Sequence, residues 1–327
     1  MSQSHAAERP VPHAPFTLRQ LECFAAVAGT GSVAAAAEAL HASESAVSEA
    51  ITVLERALGA ELVRRRRARG ATLTSDGLAV LPLAHRMLAA AEELSTAVRV
   101  GGADLAGPIR LGAVDTLAPV VVPRLIALAG ERWPRLRIAP RTGDAPELIA
   151  ALEAGELDAL IAFDIGLPPE LARRSIGATR ATVVVAADHR LAGRERVSLA
   201  ELADEPMVLL DIQASRVHTL ELLSTHGITP RVAFQTTSYE LCRSLVGRGL
   251  GWTLLMRRAA SLDSWDGGRL AVVEIDPAPR RVDLVIAWPE TASPPRVSAI
   301  VEAAEEVGAA IARERAGAGA ASSDEPR

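Results

Sequence analysis

The chain has 327 residues, and 49% of them are hydrophobic, so two or three ordinary domains with sizeable cores are expected. Only 3% are aromatic and 23% are charged, and the two cysteines, Cys23 and Cys242, lie far apart, which excludes a wholly disordered chain, a collagen-like repeat and a disulfide scaffold. The net charge is −5 and all 35 basic residues are arginine, but up to Leu105 there are 10 Arg against 11 acids, which argues against a broad, nonspecific nucleic-acid binder. No apolar run reaches the roughly 18 residues that a membrane span needs. Met1–Pro15 is polar and proline-rich with no apolar signal region, so residues 1–15 are expected as a disordered tail on a cytoplasmic protein.

The first folded segment begins at Thr17, which with Gln20 forms a T-x-x-Q capping box ahead of the helically spaced Leu18, Leu21, Phe24, Ala25 and Ala28. Gly29-Thr30-Gly31 ends that helix. Ser32 caps a second helix, Val33 to Leu40. After the turn at His41-Ala42, Ser43 caps a third, which places Ala46, Val47, Ala50, Ile51, Leu54 and Leu58 on one side and ends at Gly59. Two helices joined by a tight turn behind a first helix are the outline of a helix-turn-helix. Leu62-Val63 and Ala71-Thr72-Leu73 flank a charged turn and read as a small hairpin, or wing. Arg64, Arg65, Arg66, Arg67 and Arg69 crowd that turn.

Thr74 to about Val98 reads as one long helix. Its apolar positions Val80, Ala84, Met87, Ala91, Leu94 and Val98 step by four and three in alternation, the spacing of a coiled-coil seam, and predict dimerisation. Pro82 should disturb the first turns. Gly101-Gly102 and Gly107-Pro108 mark a hinge. Strands then alternate with helices from Ile109 to about Ala312, which predicts parallel sheets covered by helices, arranged as two small α/β lobes with a cleft between them. The expected division is a winged helix-turn-helix over 16–73, a linker helix and hinge over 74–107, and an effector domain over 108–313. Within it, lobe 1 holds about 108–180 and 283–313 and lobe 2 about 181–282. Residues 314–327 are low in complexity and expected as a disordered tail.

On the third helix, Glu44, Ser45, Ser48, Glu49 and Thr52 lie off the apolar side. Serine and threonine hydroxyls bond phosphates or base edges, and a carboxylate accepts from cytosine N4. The arginine run adds phosphate contacts.

Thr17-Leu18-Arg19-Gln20-Leu21-x-x-Phe24, Gly31-Ser32-Val33-x-x-Ala36-Ala37-x-x-Leu40, Ser43-x-Ser45-Ala46-Val47-Ser48, Leu54-Glu55-x-x-Leu58-Gly59-x-x-Leu62 and Leu73-Thr74-x-x-Gly77 together closely resemble the LysR-type transcriptional regulators. The resemblance runs from about Thr17 to Ala312 and is strongest up to Gly77. It implies a fold with an all-α, winged N-terminal domain, a long linker helix and an α/β effector domain like the type 2 periplasmic binding proteins. It implies a regulator that binds a double-stranded DNA operator, senses a small-molecule effector and assembles as a homodimer or homotetramer. DNA contacts carried over by position fall on Ser32, Ser43, Ser45, Ser48 and Arg65, with wing contacts on Arg66, Arg67 and Arg69. Glu44 and Glu49 depart from the family's common Gln and Arg, and two carboxylates facing a groove repel phosphate.

For the effector, the resemblance points to helix mouths, where free backbone N–H groups favour an anion. The positions are Asp115, Thr116, Leu117, Phe163 and Asp164 on one side, with Ser215, Arg216, Thr237 and Ser238 on the other. Arg216 points to a carboxylate and Asp115 and Asp164 to an amine, so an amino acid or another carboxylate is the expected effector. Enzymatic readings find no support: no G-x-S-x-G, P-loop or G-x-G-x-x-G stands in its required context, so no catalytic residue and no cofactor is assigned. The seven histidines, His218 and His226 among them, lack metal-ligand spacing, and no metal site is assigned. The alternative is a two-lobed small-molecule-binding protein with a weak or vestigial DNA-binding head.

Overall fold

The structure, a computed structural model, describes residues 14–66, 70–100, 105–256, 261–290 and 294–321, without the side chains of 65–66, 92–93, 95–100 and 315–321. Residues 1–13 of the N-terminal tail, Arg67 and Arg69 lie outside the described residues. The chain forms two compact units that divide after Gly102, with Glu153–Glu156 grouped with the first.

The first unit opens with α1 (Leu18–Thr30). The Thr17 N–H donates to Gln20 Oε1 at 2.7 Å and the Gln20 N–H to Thr17 Oγ1 at 3.3 Å, so both halves of the capping box form. Gly31 closes the helix at φ 65°, a left-handed position that glycine takes without strain. Next come α2 (Val33–Ala39), capped by Ser32, and α3 (Glu44–Leu58), capped by Ser43. Strands β1 (Val63–Arg66) and β2 (Gly70–Leu73) pair antiparallel with Val63 opposite Leu73, which is the wing. Phe24, Ile51, Leu54 and Leu62 are at most 1% exposed and form the centre of this unit's core. Each such side chain contributes about 1.5–3 kcal/mol through burial.

Helix α4 (Ser75–Val100) passes through Pro82 uninterrupted. Its beginning belongs to the head: Leu81 and Ala84 are buried in the head's core, with Val80 and Leu88 packed against it. The predicted seam is therefore corrected at its N-terminal end. Val80 and Ala84 pack within their own unit, while Met87 and Leu94 stay exposed at 40% and 70%. Ala91 is half-buried, and the Val98 side chain lies outside the described residues. The exposed apolar stripe is rotated by one position, to Leu83, Met87, Ala90 and Leu94.

The second unit begins with β3 (Ala106–Val114), which starts inside the expected hinge, followed by α5 (Ala118–Arg132), β4 (Arg135–Gly143), α6 (Ala145–Glu153) and β5 (Ala159–Phe163). A long strand that the sequence did not announce, β6 (Leu171–Thr179), follows. The chain continues through β7 (Thr182–Ala186), β8 (Arg196–Val197), a 3₁₀ turn at Leu199–Leu202, β9 (Pro206–Leu210), α7 (Gln213–Thr225), β10 (Arg231–Thr236), α8 (Tyr239–Gly247), β11 (Thr253–Leu255) and β12 (Leu270–Ile275). It returns through β13 (Val282–Pro289) and ends in α9 (Pro295–Ala321), so residues 314–321 are helical and the expected tail is corrected there.

The strands form a five-stranded sheet ordered β4-β3-β5-β13-β6, a four-stranded sheet ordered β11-β7-β12-β8, and a β10-β9 pair. The expectation of parallel sheets holds for β3 with β4 and β5, but β13 runs antiparallel to both β5 and β6. The reason is connectivity: β13 returns from the far lobe instead of following a local crossover helix. Each lobe has its own core, one around Ile109, Leu125, Leu160 and Ile300, the other around Val183, Met207, Trp252 and Val273. Lobe 2 leaves and rejoins lobe 1 at a single place, because Thr179 at the end of β6 pairs with Val282 at the start of β13.

Candidate functional site

On the head, α3 is positioned by its cap. The Ser43 hydroxyl accepts the Ala46 N–H at 3.2 Å and lies 3.0 Å from the Ser45 hydroxyl. Val47, Ile51 and Leu54 face the core, which turns Ser45, Glu49 and Thr52 outward on one face. Glu44 is exposed beside them, and Ser48 is half-buried. Thr52 donates its hydroxyl to Ser48 O at 3.0 Å. Ala46, expected on the apolar side, is exposed. Ser32 serves as the α2 cap, its hydroxyl accepting the Ala35 N–H at 3.4 Å. The same outward face continues one turn on to Arg56, an exposed cation that sequence reasoning passed over although it stands four positions after Thr52.

The wing is tied to α3 by Glu55. Its Oε1 accepts the backbone N–H groups of Leu62 at 2.8 Å and Val63 at 3.0 Å. Arg64 on β1 is exposed. Arg65 and Arg66 stand on the same strand, with their side chains outside the described set.

In the second unit a cavity opens between the facing ends of the two lobes' strands. Lobe 1 contributes Val114 and Thr116 at the end of β3 and just beyond it, Ala145 at the start of α6, and Phe163 and Ile165 at the end of β5 and just beyond it. Lobe 2 contributes Leu210, Ile212, Ala214 and Ser215 around the start of α7, Tyr239, Leu255 and Met256. The lining is almost wholly apolar, and the cavity volume is about 40 Å³.

Of the nine predicted effector positions, Thr116, Phe163 and Ser215 line this cavity. Leu117 does not, being 2% exposed in the lobe 1 core. Thr237 and Ser238 are exposed. The cap of α8 is Ser238, whose hydroxyl accepts the Leu241 N–H at 3.2 Å. Asp164 pairs with Arg173 at 2.7 Å, and Arg216 pairs through Nε with Asp211 at 3.1 Å. Asp211 also accepts from Gln235 Nε2 at 2.5 Å. Asp115 is exposed at the rim. The expected charge pattern is thus largely satisfied within the protein itself.

Sequence reasoning missed most of the lining because it sought capping and charged residues at helix mouths. Ile165, Ile212, Leu255 and Met256 resemble any core residue until the strands that end at the cleft are placed. Tyr239 is held by its own helix, with the Arg243 guanidinium 5.9 Å above its ring and in turn bonded to Glu240 at 2.7 Å.

Neither thiol is poised to react. Both are buried, and burial pushes Cys23 up and Cys242 up to about 11. Among the described residues no group of three His, Cys, Asp or Glu side chains is placed to hold a metal ion, and no helix is long and apolar enough to cross a membrane.

A winged helix-turn-helix head followed by a long helix and a two-lobed α/β unit with an inter-lobe cavity defines a head-plus-sensor architecture. Residues 18–78 match the family model for bacterial regulatory helix-turn-helix proteins of the lysR family, and residues 102–309 match the LysR substrate binding domain. The chain belongs to the LysR family of transcriptional regulators, whose members are as a class not enzymes. It is 30% identical over 206 residues to the regulator TtuA of Agrobacterium vitis, covering 58% of this chain and 64% of that one. It is 32% identical over 187 residues to the regulator ShiR of Corynebacterium glutamicum, covering 55% and 62%. The chain thus spans a little under two-thirds of the length of these curated relatives. The crystal structure of HinK, a LysR family regulator from Pseudomonas aeruginosa, aligns at 31% identity over 89% of this chain and 98% of that one, with a TM-score of 0.59.

Proposed function

We propose that this chain is a ligand-responsive, DNA-binding transcription regulator. Its operator is bound through α3 and the wing, and a small-molecule effector is sensed in the inter-lobe cavity. The observation that carries the reading is the outward face of α3, where Ser45, Glu49 and Thr52 stand clear of the core on a helix whose start is fixed by the Ser43 cap. Arg56 extends that face, and Arg64 to Arg66 with Arg67 and Arg69 supply cations for the flanking phosphates.

Effector binding that favours one lobe arrangement would shift its population and so the disposition of the heads. The protein works without a cofactor, performs no catalysis and acts in the cytoplasm. Subunits pair along the exposed stripe of Leu83, Met87, Ala90 and Leu94, as a homodimer or a homotetramer. The finer ligand reading from the sequence, a carboxylate or an amino acid, rests on Arg216, Asp115 and Asp164.

The test is selection of bound fragments from random DNA by the purified protein, beside Ser45→Ala and Arg64→Ala. Enrichment of an inverted repeat is expected. Ser45→Ala should relax preference at one base position by about 1–3 kcal/mol, while Arg64→Ala weakens all sequences alike. A second reading rests on Glu44 and Glu49, two exposed carboxylates on the groove-facing side. No enrichment even at low salt would favour a small-molecule-binding protein with a weak head.

A further inference from the structure

We infer that the effector of this protein is an uncharged, largely apolar small molecule with a single hydrogen-bonding end, and not a carboxylate or an amino acid. This rests on the reading of the inter-lobe cavity as the effector site.

The walls carry the argument. Phe163 and Ile165 from lobe 1 face Leu210, Ile212, Leu255 and Met256 from lobe 2, and the polar residues of the lining, Thr116, Ser215 and Tyr239, carry hydroxyls and no charge. A charge moved from water into such a space, with no opposite charge among the described lining side chains to meet it, is penalised far more than a hydroxyl or carbonyl. The charged side chains adjoining the lining positions have partners of their own. Asp164, between Phe163 and Ile165, is held by Arg173, whose other nitrogens donate to the carbonyls of Pro168 and Leu171. Arg216, next to Ser215, is turned to Asp211. Arg243, over the Tyr239 ring, is held by Glu240 and by the carbonyls of Ser261 and Asp263. A carboxylate effector drawn to Arg173 or Arg243 would have to break one of these pairs and leave an acid behind, and Arg216, 48% exposed, does not line the cavity. Asp115, between the lining residues Val114 and Thr116, is exposed and repels an anion.

One polar end can be satisfied. The N-cap position of helix α7 is Ile212, which offers no side-chain cap, so donors of the first turn remain for a ligand beside the Ser215 hydroxyl. This turn would also suit an anion, but its donors serve a carbonyl or hydroxyl oxygen equally well, and among the described residues no cation lines the cavity beside them. The cavity of about 40 Å³ is smaller than the engineered apolar cavity of about 150 Å³ that takes benzene, so the lobes must part as an occupant enters.

The experiment is thermal unfolding of the full chain with three matched series. These are benzyl alcohol and cyclohexylmethanol, then benzoate and cyclohexanecarboxylate, then benzylamine and cyclohexylmethylamine. The alcohols are expected to raise the melting temperature by a few degrees at saturation and to bind at least ten-fold more tightly than their charged counterparts. Ala214→Leu and Ala145→Leu, which fill the cavity from opposite lobes, should each abolish the shift. If the carboxylates or amines stabilise as well as the alcohols or better, in a manner that the filling variants remove, the inference is overturned and the effector reading stands. If no compound in any series shifts the transition, the cavity is not a small-molecule site and both fall, leaving the DNA-selection result untouched.

Discussion

Arg110 Nη2 lies 2.7 Å from Asp158 Oδ1, while the Arg110 backbone N–H donates to the other oxygen of the same carboxylate at 2.7 Å. The Asp158 N–H donates back to Arg110 O at 2.8 Å, so β3 is fastened to the turn that launches β5. The carboxylate is 9% exposed and the guanidinium 34%. Asp158→Ala should lower stability by about 2 kcal/mol, less than a fully buried pair because water reaches the arginine. Urea unfolding would show a lower midpoint with an unchanged slope.

Glu55 should prove more important to DNA affinity than its position suggests. It faces no groove, yet it fixes the two backbone groups from which β1 starts. Glu55→Ala is expected to cost about 1–2 kcal/mol in stability and to loosen the wing, with weaker DNA binding at all sequences. Glu55→Gln, which keeps one acceptor oxygen, should lose less on both counts.

The carboxylates on α3 make an opposite prediction. Glu49 is exposed on the outward face. Glu49→Arg should tighten binding several-fold at low salt and steepen the dependence of log affinity on log salt by about 0.9, as one added phosphate contact requires. A titration from low to moderate salt would read both. An unchanged slope would place Glu49 away from the backbone.

The two thiols set an alkaline limit. Burial lifts Cys242 from near 9 to about 11, with Thr253 Oγ1, 3.5 Å from the sulfur, pulling weakly the other way. A folded thiol that keeps its proton longer than the unfolded one stabilises the fold fully below pH 9, and that contribution is lost as pH rises to about 11. At neutral pH, both thiols should resist peroxide and alkylation until urea exposes them. Mass-spectrometric labelling with and without urea checks this, and rapid native labelling of Cys242 would contradict it.

His218 sets a limit on the acid side. Its Nε2 is buried without a hydrogen-bond partner among the described residues, and burial holds the ring below the usual histidine range. The ring is neutral in the fold but takes a proton near pH 6.5 when unfolded, so its contribution is present above that pH and lost as pH falls. His218→Leu should flatten that part of the stability profile, measured by urea unfolding between pH 5 and 8.

Much of the head was legible in the sequence because its signals are local. Thr17 and Gln20, Ser32, and Ser43 each announce a helix start within four residues of where the hydrogen bond forms. Strand β6 was not legible. Its Arg173, Arg174, Ser175 and Gly177 lack an apolar alternation, and its partner β13 lies a whole lobe later in the chain. The N-terminal end of the seam on α4 was misplaced for a related reason. Ala84 fits a coiled-coil step and a head core equally well, and only the packing of Leu81 and Leu88 beside it decides. At the cleft, the charged residues were visible but their partners were not, since Asp211 and Arg173 have no helix-mouth signature.

The pairing of Thr179 with Val282 has a further consequence. Residues 180–281 enter and leave at adjacent points on neighbouring strands, so lobe 2 is topologically a cassette inserted into lobe 1. Exchanging that cassette for the corresponding one of a relative would replace seven of the twelve lining residues while leaving the strand order of the five-stranded sheet intact. Ligand choice in this architecture is therefore free to change by whole-module replacement at one stem as well as residue by residue, with the head's sequence preference carried along unaltered.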